Sequence, residues 1–195
     1  MPESSMPESS MPAKRGRSNR GSEIRLGISS CLLGNRVRFD GDHRHDPLVA
    51  DLLGQSVEWV PVCPEVESGM PIPRPTLRLA DLGAGVRMVE SAAGVDHTRA
   101  MKTYSVRRVR ELQALDLSGY VLKMNSPSCG MARVKIHDAK GTEISHGAGL
   151  FASVLMEACP QLPIEEEGRL HDAKLRENFV ERVLAFHNLR ESENR

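Results

Sequence analysis

Apolar positions recur along this chain in short runs that end at turn residues, alternating with longer stretches of helical period. The run Ile24-Arg25-Leu26-Gly27-Ile28-Ser29-Ser30 predicts a first strand, and Val57-Glu58-Trp59-Val60-Pro61-Val62 a second. Leu77-Arg78-Leu79 and Val86-Arg87-Met88-Val89, separated by Asp81-Leu82-Gly83, read as a hairpin. Tyr120-Val121-Leu122-Lys123-Met124 and residues 132–136 read as two further strands. Asp46-Pro47 is a helix start, followed by Leu48, Val49, Leu52 and Leu53 at helical spacing. Residues 98–115 predict a helix with Met101, Tyr104, Val109 and Leu112 on one face, and residues 149–156 a buried one. Residues 172–187 predict an amphipathic helix through Leu175, Phe179, Val183, Leu184 and Phe186.

This strand–loop–helix order predicts an α/β fold, a single compact domain with a mainly parallel sheet flanked by helices. In such sheets ligands bind beyond the carboxyl ends of the strands. We divide the chain into a tail (1–21), the α/β domain (22–165) and a C-terminal helix with a polar tail (166–195). The tail opens on a literal repeat, MPESS-MPESS-MP, then turns basic at Lys14, Arg15, Arg17 and Arg20. Nothing in it can bury a core, so disorder is expected, and its cations read as solvated rather than bound to RNA.

Composition narrows the function. The 195 residues carry no formal net charge, so the whole molecule has no global pull toward nucleic acid or anionic lipid. Aromatic residues are only 4% of the chain, which leaves few stacking platforms for bases. No apolar run approaches the ~18–20 residues that span a bilayer, and no apolar stretch follows the N-terminal basic residues. No membrane partner is expected. The chain has four cysteines, and in a mid-sized chain with no secretory signal they read as metal or redox residues in a reduced, cytoplasmic compartment.

Three of the four sit in turns just past predicted strands: Ser30-Cys31-Leu32-Leu33-Gly34, Val62-Cys63-Pro64-Glu65 and Ser126-Pro127-Ser128-Cys129-Gly130. Buried inert cysteines belong in apolar runs. Cys159, at a helix end in Ala158-Cys159-Pro160, fits that description and the other three do not. Their wide spacing disfavours a structural zinc site, and thiolates without a nearby ligating histidine suit iron–sulfur chemistry. Three ligands would leave one coordination position open for a substrate.

Cys31-Leu32-Leu33-Gly34 with Val37-Arg38-Phe39-Asp40-Gly41 resembles the opening of the thiouracil desulfidase family. So do Val60-Pro61-Val62-Cys63-Pro64-Glu65-Val66 with Gly69-Met70 and Pro73-Arg74-Pro75, Lys123-Met124-Asn125-Ser126-Pro127-Ser128-Cys129-Gly130, and His146-Gly147-Ala148-Gly149-Leu150-Phe151-Ala152. The resemblance spans about residues 24–165. It implies a [4Fe–4S] cluster on Cys31, Cys63 and Cys129. It further implies that the sulfur of a thiolated pyrimidine meets the free iron, and that hydrolysis releases sulfide.

Within that picture Glu65, two residues past Cys63, is the candidate to take a proton from water. Ser126 and Ser128 are the candidates for a catalytic serine, Ser126 being preferred; both could equally cap the turn. Asp40, Arg74 and Lys123 are the candidate substrate contacts. Arg36, Arg38 and Arg44 also accompany the cysteine motifs, as charge against thiolates, as guides for a phosphorylated or RNA substrate, or as solvated rim residues. The cluster Asp40, Asp42, His43, His45 and Asp46 reads as a solvated loop rather than a metal site. Gly147-Ala148-Gly149-Leu150-Phe151-Ala152 fits the dinucleotide pattern G-x-G-x-x-A, but no predicted strand leads into it. Its glycines would still let helix N–H groups face an anionic sulfur.

Residues 163–187 resemble the segment that precedes a second domain in relatives associated with removing sulfur from thiouridine in tRNA. With the sequence stopping at Arg195, a free thiolated nucleobase or nucleoside is the expected partner and tRNA the alternative. A non-catalytic iron–sulfur electron-transfer or sensor module is the competing class, and it would need Cys159 as a fourth ligand.

Overall fold

The computed structural model describes residues 24–83 and 85–193; the repeat and basic tail lie outside them. In chain order the strands are β1 (Arg25–Ser29), β2 (Glu58–Val62), β3 (Leu77–Asp81), β4 (Val86–Glu90), β5 (Gly119–Leu122), β6 (Val134–His137), β7 (Glu143–Gly147) and β8 (Ile164–Glu166). The helices are α1 (Pro64–Glu67), α2 (Thr98–Gln113), α3 (Leu150–Ala158) and α4 (Ala173–Glu193). None of them is long and apolar enough to cross a membrane.

Strands β2-β1-β5-β8 form one sheet, in that order, and every pairing in it is parallel. Its central strands are covered on both faces, so they read as near-continuous apolar runs: all of β5 is buried, and β1 is buried from Leu26 to Ser29. Gly27 is required there. A Cβ at that position would stand 2.2 Å from Cδ2 of Tyr120, whose ring lies across β1 and packs on Phe151 at 6.0 Å between centroids. The Tyr120 hydroxyl is buried and has no hydrogen-bond partner among the described residues. Tyr120→Phe keeps the ring and removes that unsatisfied group, so urea unfolding should show unchanged stability or a gain of about 1 kcal/mol. A clear loss would mean that the hydroxyl is partnered.

A second sheet runs β4-β3-β6-β7, antiparallel except for the β3–β6 pair. The expected hairpin is its β3–β4 half. Strand β6 begins two residues later than expected and ends at His137, one residue beyond the expected end. Strand β7 was not predicted: Glu143 to His146 are all exposed, and Ile144 is its one large apolar residue.

Between the sheets sits the larger core, with Met101, Tyr104, Val109 and Leu112 of α2 and Leu150, Phe151, Ala152 and Leu155 of α3. A second core joins Leu26, Ile28 and Val121 of the parallel sheet to Phe179 and Val183 of α4. The predicted amphipathic face of α4 is narrower than expected, since Leu184 is 43% exposed. The helix expected after Pro47 does not propagate. Asp46 Oδ1 caps Val49 N at 3.2 Å, but the chain makes one wide turn over Leu48–Leu52 and a 3₁₀ turn over Leu53–Ser56. From residue 163 onward the chain supplies the edge strand β8 and packs α4 on the second core.

Candidate functional site

The three neighbouring strands β2, β1 and β5 each deliver one cysteine at their carboxyl end. Cys31 lies in a 3₁₀ turn (Ser30–Leu33) closed by Gly34 at φ 88°. Cys63 is the residue that starts α1. Cys129 lies in the loop after β5, which Asn125 opens at φ 59°, a left-handed geometry that asparagine tolerates. All three are free thiols, and together they line a cavity of about 370 Å³.

The Cys129 loop is clamped. Ser126 Oγ accepts hydrogen bonds from Ser128 N and Cys129 N, each at 3.2 Å. The first amides of α3 close over the loop's carbonyls: Gly149 N donates to Gly130 O (2.8 Å), Leu150 N to Pro127 O (3.0 Å) and Phe151 N to Ser128 O (3.0 Å). A strand, β7, does lead into the glycine-rich segment, yet these amides already have partners. That corrects the expectation that they face an anionic sulfur and removes the dinucleotide reading. The close approach needs Gly149, where a Cβ would lie 2.5 Å from the Ser128 carbonyl carbon. Gly149→Ala should therefore cost about 1–3 kcal/mol of stability, measured by urea unfolding.

Behind Cys63, Glu67 reaches back to accept from Cys63 N at 2.7 Å, and its other oxygen accepts from Tyr104 O–H at 2.7 Å. Beside Cys63, Glu65 Oε2 accepts two hydrogen bonds from the Arg74 guanidinium (Nε at 2.8 Å, Nη2 at 2.5 Å). Its Oε1 accepts from Ser128 O–H at 2.8 Å. Arg74, whose side chain is 3% exposed, also donates to Val37 O at 2.9 Å and so ties the Cys31 and Cys63 loops together.

Glu65, Ser126, Arg74 and Lys123 line the cavity with the three cysteines, as do Arg38 and Arg44. Ser128 is fully buried and lies outside the lining, where it acts on Glu65. Asp40 is exposed and also outside the lining; it pairs with Arg38 at 3.4 Å and accepts from Asp42 N. Arg36 is exposed and outside it too. The neighbouring histidines form separate pairs, His45 with Asp51 at 3.4 Å and Asp46 with His171 at 2.8 Å.

Burial pushes the Cys31 thiol up to about 11, reinforced by Cys63 and opposed by the charges of Lys123 and Arg38. Burial likewise raises Cys63, against hydrogen bonds from the Val66 and Glu65 amides. It raises Cys129 well above the usual thiol range, with Ser29 hydrogen-bonding to that sulfur in opposition. The bare thiols are thus protonated at neutral pH, and binding a cation requires them to release protons. Iron uptake should accordingly strengthen as pH rises from about 6 to 8, with acidification of a weakly buffered solution as the readout.

The donor set suits a multinuclear group. Among the described residues no three His, Cys, Asp or Glu side chains converge closely enough for a single ion. The three thiols nevertheless share one cavity, with Cys63 acting to raise the Cys31 thiol and both of them acting to raise Cys129. Cluster irons are held by thiolates, so Cys31, Cys63 and Cys129 are the residues that would hold such a group. Cys159 is not available as a fourth ligand. It follows α3 at the end opposite the Cys129 loop, about 13 Å of helix away.

The fold and site define a class: an α/β protein with three thiols around an open pocket at the carboxyl edge of a parallel sheet. A family model described as 2-thiouracil desulfurase matches residues 26–167, and the chain belongs to that family. It is 28% identical over 145 residues to the uncharacterized protein YbbK of Bacillus subtilis (strain 168), covering 72% of this chain and 95% of that one. It also resembles a solved structure described as the [4Fe-4S]-dependent thiouracil desulfidase TudS. That match has a TM-score of 0.63 and 26% identity, over 80% of this chain and 99% of the other.

Several residues around the site escape a reading of the sequence. Ser29 is the last residue of a strand, and Glu67 looks like any helix-turn carboxylate. Glu166 and Glu167 sit in an acidic run that reads as surface, yet they are 5% and 6% exposed. The available signal is that this run directly follows Pro163-Ile164 and stands beside no lysine or arginine before Arg169.

Proposed function

We propose that this protein removes sulfur from a thiolated pyrimidine, a free base or nucleoside, using a [4Fe–4S] cluster held by Cys31, Cys63 and Cys129. The observation that carries the reading is the convergence of three thiols, from three adjacent strand ends, on one cavity with no fourth thiol near it. The open iron of such a cluster supplies a soft Lewis acid matched to a thiocarbonyl sulfur. The reaction is hydrolytic: water adds its oxygen to the ring carbon, the carbon–sulfur bond breaks, and sulfide leaves with no net oxidation.

The side chains divide the remaining work. Glu65 takes the proton of the attacking water. Arg74 occupies one oxygen of that carboxylate and Ser128 the other, so the base cannot turn away from the cavity. Ser126 already accepts two amide N–H bonds, and its own hydroxyl hydrogen is left to donate to water or a ring atom. Lys123 offers an ammonium N–H to a ring oxygen. Arg38 and Lys123 oppose the negative charge of a Cys31 thiolate. The cavity, about 370 Å³, lies in the range of small-ligand sites. Four free cysteines accord with a reduced cytoplasmic setting.

The test is anaerobic reconstitution with iron and sulfide, followed by electronic and EPR spectra with 2-thiouracil and 4-thiouridine. A [4Fe–4S] spectrum that changes on addition, with sulfide released, is the expected result. A stable cluster indifferent to both compounds would point to electron transfer or sensing instead.

A further inference from the structure

Strand β8 and the residue after it carry three consecutive buried glutamates, Glu165, Glu166 and Glu167, none more than 6% exposed. Glutamate is almost never fully buried without a partner. Glu165 is accounted for by Arg169 at 2.8 Å and Arg182 at 3.7 Å, an arrangement within the C-terminal segment. Glu166 accepts from Met131 N at 2.7 Å and holds the exit of the Cys129 loop.

Glu167 is different because its partners lead to the cavity. One oxygen accepts from Met124 N at 2.7 Å, and the other pairs with the Lys123 ammonium. Lys123 donates a second hydrogen bond to Met124 O at 3.2 Å. An ammonium has three donors, so one N–H is left over, on a side chain that lines the cavity. A lysine head on a flexible four-carbon stem would otherwise sample many positions. Two tethers from one short stretch of backbone and one carboxylate remove that freedom. The backbone just after Glu167 packs closely on the same stretch, since a Cβ at Gly168 would lie 2.4 Å from Met124 Sδ.

We infer that Glu167 is a positioning residue of the desulfuration site: it aims the free N–H of Lys123 at an oxygen of the bound pyrimidine. The inference rests on the proposed function for the identity of the ligand. It makes the C-terminal strand part of the substrate pocket rather than only a sheet edge.

The experiment compares the parent with Glu167→Gln, Glu167→Asp, Lys123→Met and the Gln/Met double variant. Uracil, which has no sulfur to meet iron, is titrated calorimetrically into each cluster-free protein, and KM, kcat and iron content are measured after reconstitution. Glu167→Gln keeps an acceptor for Met124 N but loses the charge. It and Lys123→Met should each weaken uracil binding and raise KM about tenfold, the worth of one charge-assisted hydrogen bond. The double variant should be no worse than either single one, because the two side chains act as a unit. Glu167→Asp should recover part of the loss, and iron content should not change. Additive losses, iron loss in Glu167→Gln alone, or uracil binding that is absent in the parent or untouched by the substitutions would each overturn the inference. Failure of the proposed function has a separate signature: the reconstituted parent releases no sulfide from any thiolated base.

Discussion

Alanine at Cys31, Cys63 or Cys129, one at a time, is expected to abolish cluster retention and sulfide release, whereas Cys159→Ala leaves both intact. Three thiols from adjacent strand ends surround one cavity, while Cys159 lies beyond the far end of α3. A cluster on three protein ligands has none in reserve, so losing one leaves two irons without a thiolate. The cluster-free variants should still fold. Cys31 and Cys129 are nearly buried thiols, and replacing a small buried thiol removes little packing. Iron and acid-labile sulfide per chain, with circular dichroism as the folding control, decide the matter. A Cys159→Ala protein that loses iron as fully as Cys63→Ala would favour the competing electron-transfer or sensor reading.

Glu65→Gln should lower kcat by about 10²–10⁴-fold, the worth of a positioned general base, with iron content and KM nearly unchanged. Glutamine is close in shape: its carbonyl oxygen keeps an acceptor for Arg74, and its amide N–H can donate to Ser128 Oγ once that hydroxyl turns to accept, so the loop geometry should survive. The reverse deletion is a different experiment. Arg74→Met strands the Glu65 carboxylate, 15% exposed, without its cation, and breaking such a buried pair costs about 3–5 kcal/mol. Activity lost with stability kept in the first variant, and stability lost in the second, would separate chemistry from scaffold. An unchanged kcat in Glu65→Gln would remove Glu65 from the proton-transfer step.

What the sequence announces here is what burial makes repetitive. Strands β1, β2 and β5 are short runs rich in apolar residues, and the turns after them carry the cysteines. Thus the parallel sheet and the three thiols could be read directly. The strands at the edges could not. Residues of β7 are exposed nearly throughout, so no apolar alternation marks them, and β8 is one isoleucine followed by two glutamates, one paired with Arg169 and Arg182 and the other held by the distant Met131 N. The serines show a finer limit. Ser126 and Ser128 are equivalent in composition and flanks, and only the fold separates the one that lines the cavity from the one sealed behind Glu65. Asp40 shows the converse: a motif residue whose side chain is spent on Arg38, outside the cavity.

The clamp of α3 on the Cys129 loop also sets an order of events at synthesis. The third thiol is held by amides belonging to residues 149–152, and its loop is finished by Glu166 accepting from Met131. A nascent chain that has released Cys129 but not residues 149–166 would lack that clamp, and a cluster of the kind proposed would find its third thiol unheld.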